Sequence, residues 1–131
     1  MPPPEAVAPP GTRSSAFWWR VAGVLGALGV VLGAFGAHGL EGRVDPHLIE
    51  RAWNTGARYH MFHALALVGV AAHPRTPAFA GWAFVTGVVL FSGSLYAMTL
   101  TGFTKLGMIT PLGGLAFIAG WIALAVSRTE G

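Results

Sequence analysis

The sequence contains no cysteine, few charges, and no carboxylate outside its ends and its first connection. The missing cysteine removes disulfides, thiolate metal sites and thiol catalysis together, and says nothing of redox compartment. Charged residues make up 10% of the 131 residues, against about 25% in soluble domains. The five acids are Glu5, Glu41, Asp45, Glu50 and Glu130. A small proton-coupled exporter needs an acid inside the membrane to exchange protons for a cation, so that class is disfavoured. The eight basic residues are scattered, so no nucleic-acid surface is expected despite a net charge of +3 and a pI near 10.2. Catalytic signatures are missing as well: there is no G-x-S-x-G, no P-loop and no H-E-x-x-H. The serines of "LFSGSLY" mark no triad, and serine in a membrane helix commonly bonds its own backbone. The expectation is a non-enzymatic chain without a cofactor.

What the chain does have is apolar length. Hydrophobic residues are 53% of it and the mean hydropathy is +0.59. Residues 1–15 hold five of the prolines and predict a disordered tail. Four apolar segments follow, with helices predicted over about 17–39, 48–72, 77–101 and 106–127. Each has roughly the 20 residues needed to cross about 30 Å of hydrocarbon. Phe17, Trp18 and Trp19 open the first as an aromatic belt. A signal peptide is the alternative reading of that segment. Asp45-Pro46 marks a turn, after which the second helix is expected to lie amphipathic at the interface before it dives. Thr110-Pro111 fits an N-cap followed by proline in the first turn.

The fold class expected is therefore all-α, a four-transmembrane-helix bundle running up-down-up-down. An even helix count puts both termini on one side. The basic residues divide four against four between the two sides, so the positive-inside rule does not orient it.

Helical projection at about 100° per residue sorts the faces. On the first helix, Ala22, Gly26, Gly29, Gly33, Gly36 and Ala37 share a stripe, with Gly29 and Gly33 spaced as G-x-x-x-G. Such stripes let backbones approach closely, either within the chain or in a homo-oligomer. Gly113 and Gly114 start a second small surface on the last helix. On the second helix Asn54, Arg58, Met61 and Leu65 share one face, and Gly56, Tyr59, His63, Ala66 and Val70 the other. Arg58 is expected in the outer third of its helix. There it serves as a snorkelling anchor, as an ion-pair partner of Glu41, Asp45 or Glu50, or as a captor of an anionic headgroup. His63 is expected to face the bundle and bond Ser92, Ser94 or a carbonyl. A metal or haem reading would combine His38, His60 and His63.

Four stretches carry a resemblance: "GAFGAHGL" (33–40), "RYHMFHALAL" (58–67), "LFSGSLYAMTLTG" (90–102) and "GMITPLGGLAFIAGW" (107–121). Their order and spacing resemble the YgdD/YwdK-like family of small integral membrane proteins of unknown function. The resemblance implies a four-helix membrane fold and no assigned activity. The matching positions that are neither apolar nor small are His38, Arg58, Tyr59, His63, Ser92, Ser94, Tyr96, Thr110 and Pro111. The expectation is a structural or accessory protein of the bacterial inner membrane that binds lipid or a partner membrane protein around Arg58, His38, His63 and Tyr59. The alternative is a carrier, channel or metal- or haem-binding protein built on His38, His60 and His63.

Overall fold

The computed structural model describes residues 13–128, and among them there are helices and no strand. Four antiparallel helices follow one another: α1 (Arg13–Gly39), α2 (46–72), α3 (Ala78–Thr101) and α4 (Thr104–Val126). Helix α1 begins at Arg13, inside the expected tail. The rest of that tail, residues 1–12, lies outside the described residues.

The boundaries have local causes. Asp45 caps α2 by accepting a hydrogen bond from the His47 amide at 2.9 Å, with Pro46 in the first turn. Helix α3 stops at Gly102, whose φ of 72° is left-handed and whose N–H bonds the Met98 carbonyl at 2.8 Å. Helix α4 opens with a 3-10 turn at Thr104–Met108 before regular helix begins at Thr110. The N-cap expected of Thr110 is not made. Ile109 holds the cap position, and the Thr110 hydroxyl turns across the bundle to Ser94 Oγ at 2.6 Å. Thr110 already has helical backbone, so its side chain is free to bridge two helices.

Glycines build the seams. A Cβ added at Gly36 would meet the Trp53 ring, at Gly81 the Trp18 ring, and at Gly87 the Phe117 ring. At Gly113 it would meet the Phe91 backbone itself. The α1 stripe divides: Gly29 sits against α2, a Cβ there being 3.0 Å from Met61 Cε, whereas Gly26 and Gly33 have nothing within 4 Å. Met61 is thus turned toward α1 and does not share the outward direction of Arg58. Trp18, Leu67, Val70, Phe84 and Phe117 form the core. The outside carries Val24, Val30, Leu65, Val89, Leu115 and Ile122, an apolar coat that suits hydrocarbon and not water. Trp18 is 2% exposed and Ser15 donates to the Ala71 carbonyl at 2.8 Å. Helix α1 is therefore part of the core.

Three cross-helix hydrogen bonds set the α1–α2 register: Ser15 to Ala71, His60 to Leu25 (2.8 Å), and Trp53 to Leu32 (2.7 Å). They place Arg58 level with Ala27, near the middle of α1. Ser92 donates to the Gly56 carbonyl at 2.7 Å, and Thr99 lies 3.4 Å from the Leu48 carbonyl. These bring Arg58 level with Leu90 of α3. The Ser94–Thr110 bond and the Phe91–Gly113 contact carry the same level to Gly114 of α4. Arg58 therefore stands at mid-depth of the bundle and not in its outer third. The first half of α2 runs alongside the other helices instead of lying at the interface.

By length and composition α1, α3 and α4 are apolar enough to cross a membrane, and α2 is not among them. Arg51, Asn54, Arg58, His60 and His63 account for that. Yet α2 is the central helix, burying Gly56, His60, His63, Ala64, Ala66, Leu67, Val70 and Ala71. Polar groups at such depth persist when the bundle satisfies them, and for both histidines it does.

Candidate functional site

His60 and His63 are 3% and 4% exposed and lie about 60° apart on α2, yet they serve different neighbours. His60 Nε2 is 2.8 Å from the Leu25 carbonyl and Nδ1 is 2.9 Å from the Tyr96 hydroxyl. A carbonyl only accepts, so Nε2 carries a proton. His63 Nδ1 is 2.6 Å from the Tyr59 carbonyl, and Nε2 is 3.0 Å from Trp121 Nε1. The indole only donates, so here the proton sits on Nδ1. His63 is therefore neutral, and all four ring nitrogens are in use. Phe117 stacks on His63 with centroids 3.6 Å apart and planes 9° apart.

Of the partners expected for His63, a carbonyl is found, that of Tyr59 on its own helix, and the two serines are engaged elsewhere. Ser92 donates to Gly56, and Ser94 to the Phe91 carbonyl at 2.9 Å. The other partner found, Trp121, is absent from the sequence reading. A tryptophan near a helix end suits an interfacial belt. The usable signal was its place on the α4 stripe with Gly113, Phe117 and Gly120.

The three histidines do not assemble. The α1–α2 register sets His38 level with His47, far from His63, and His38 is exposed at the end of α1. No group of three His, Cys, Asp or Glu suited to a metal occurs among the described residues. With every ring nitrogen of His60 and His63 bonded within the bundle, ligation would first have to break those bonds. Protein purified without a histidine tag is therefore expected to carry no stoichiometric metal or haem by elemental analysis and visible absorbance.

Arg58 is exposed on the outer face of α2 and pairs with none of Glu41, Asp45 or Glu50. Tyr59 sits at the edge of the bundle against Phe91, with centroids 4.7 Å apart. From there a groove of about 640 Å³ runs between α2 and α4, lined by Tyr59, Phe62, His63, Phe91, Phe117 and Trp121, with Gly114 at its wall. Its rim residues Phe62, Leu65 and Ile118 are exposed, so it opens sideways into the surrounding hydrocarbon. The volume lies within the range of small-molecule sites. The polar atoms of His63 and Trp121 bond each other, which leaves the Tyr59 hydroxyl as the other side-chain polar group of the wall. A second hollow of about 340 Å³ lies at the α1–α2 mouth beside Glu41, Glu50 and Asn54, and includes neither His38 nor Arg58.

A central polar helix, an apolar coat and a sideways-opening groove define a small multi-pass α-helical membrane protein. Residues 32–114 match the DUF423 family, described as protein of unknown function. The chain is 48% identical over 117 residues to the UPF0382 membrane protein YwdK of Bacillus subtilis, covering 82% of this chain and 94% of that one. It is 43% identical over 116 residues to the UPF0382 membrane protein C1782.12c of Schizosaccharomyces pombe, covering 82% and 98%. It is 42% identical over 112 residues to SAB0533 of Staphylococcus aureus, covering 79% and 91%. The chain belongs to this family of uncharacterised membrane proteins, and a place in the bacterial inner membrane accords with its bacterial relatives. No solved structure matches it.

Proposed function

We propose that the protein is a non-enzymatic accessory component of the membrane that holds a lipid, with an acyl chain in the α2–α4 groove. The groove itself supports this reading: about 640 Å³, apolar, aromatic-lined and open at bilayer depth through Phe62, Leu65 and Ile118. Hydrocarbon entering it would meet flat ring faces and need break no hydrogen bond. The carrier or cofactor reading on His38, His60 and His63 has less support, because two of the three rings hold helices together and the third lies apart.

Gly114→Leu would project a side chain into the groove, where a Cβ has only Phe91 Cδ2 nearby, at 3.9 Å. Native mass spectrometry of protein released from membranes is expected to show retained lipid for wild type and for the outward control Gly26→Leu. Gly114→Leu should lose most of it. Equal retention in all three would refute the groove reading.

A further inference from the structure

Arg58 raises a question that the groove does not answer. It stands level with Ala27, Leu90 and Gly114, near the middle of all three apolar helices, and it points away from the bundle. A charged side chain at that depth is costly, and such residues almost always face a bundle interior or a partner. Arg58 faces neither. It is also not alone. Asn54, Thr55 and Arg51 continue the same face toward the N-terminal end of α2, with Arg51 and Asn54 exposed and Thr55 half-buried. At the same levels α1 shows Ala27, Val30, Val31 and Ala34 to the outside. One side of the bundle is thus polar from the 40–45 connection down to mid-depth, while the neighbouring side is apolar.

The chemistry of this face selects its occupant. Two permanent cations stand about 10 Å apart along the helix, with an amide and a hydroxyl between them. Helical side chains lean toward the helix N-terminus, so Arg58 reaches up toward Asn54, and Arg51 leans the same way toward the 40–45 connection. A second copy does not complement the face. No carboxylate lies level with Arg58; Glu50, beside Arg51 and exposed, is the nearest on α2 and stands about two turns nearer the 40–45 connection, and a two-fold axis along the membrane normal would set Arg58 level with Arg58. An anionic phosphate diester does complement it, since guanidinium forks match phosphate oxygens.

We propose that the outer face of α2 draws the headgroup of an anionic phospholipid from the leaflet on the 40–45 side down toward mid-depth, with Arg58 on the phosphate and Arg51 on its path from the interface, thinning that leaflet locally. This rests on the lipid reading above and names the lipid class. Phe62, on the groove rim, lies one turn deeper than Arg58, so a headgroup held there leaves its chain pointing at the groove.

Two experiments test it. Wild type offered equal phosphatidylglycerol and phosphatidylcholine is expected to retain the anionic lipid preferentially in native mass spectrometry. Arg58→Ala should lower that preference about fivefold while total retention persists, and Gly114→Leu should lower retention of both lipids without changing their ratio. An unchanged ratio in Arg58→Ala overturns the headgroup assignment and leaves the groove reading standing. Unchanged retention in Gly114→Leu removes the groove separately. Depth is tested by accessibility and not by lipid retention. The chain has no cysteine, so Thr55→Cys and Val30→Cys place single thiols at one level on the polar and apolar sides. In vesicles of phosphatidylglycerol, a polar maleimide is expected to label Thr55→Cys several-fold faster. Equal protection of the two would overturn the thinning.

Discussion

Gly113→Val is expected to be the most destabilising single change in the described chain, unfolding in detergent well before wild type. The Cβ it adds falls on the amide nitrogen and Cα of Phe91, which cannot rotate aside as a side chain does. Contrast Gly29, where the nearest atom is the mobile Cε of Met61 at 3.0 Å. Overpacking costs about 1–3 kcal/mol and occasionally more. Backbone contact with a β-branched residue belongs at the upper end. The helices must separate, and the Ser94–Thr110 bond one turn away at 2.6 Å would stretch with them. Thermal unfolding followed by circular dichroism measures this, with Gly33→Val as the outward control expected near wild type. Matching midpoints for the two variants would mean that the α3–α4 seam is not as close as described.

His63→Ala is expected to come second. It deletes a ring stacked at 3.6 Å on Phe117 and removes the acceptor of the Trp121 N–H. Truncating a large buried side chain costs about 2–5 kcal/mol, and a stranded donor in an apolar setting adds about 1–3 kcal/mol. His63→Phe separates the two contributions, since it keeps the stack and strands the indole. Its loss should be smaller than that of alanine. Trp121→Phe should recover part of the loss in the His63→Phe background, with a coupling of about 1 kcal/mol. Chemical denaturation of the four proteins closes the cycle. Strict additivity would show that the Trp121–His63 bond contributes nothing, and that His63 acts by volume alone.

Much of this architecture was legible without coordinates. Long apolar stretches between turn signals give four helices, because a backbone in hydrocarbon must satisfy itself. Asp45-Pro46 marks a turn ahead of α2, although the helix starts at Pro46 and not at 48, because Asp45 caps it. The projection of α2 separates Arg58 from His63 correctly, since 3.6-residue periodicity is a local property. It also puts Gly56, His63, Ala66 and Val70 on one buried face, whereas Tyr59, projected onto the same face, lies exposed at the bundle edge.

Projection failed where the answer depended on another helix. His60 and His63 are neighbours on α2, but one reaches α1 and α3 and the other reaches α4, because the helix is wedged between them. The G-x-x-x-G spacing of Gly29 and Gly33 says nothing of which glycine meets a partner, and only Gly29 does. Thr110 carries the signature of a cap and makes a cross-helix bond instead.

The sequence by itself determined a multi-pass membrane protein of four helices, without thiols and with Arg58 and His63 on different faces. Only the tertiary structure decided the depth of Arg58, the pairing of His63 with Trp121 and the separation of His38 from both buried histidines. The reason is physical. Direction around a helix follows from local geometry, whereas depth follows from register. Register here is set by bonds such as Trp53 to the Leu32 carbonyl and Ser92 to the Gly56 carbonyl, between residues far apart in the chain.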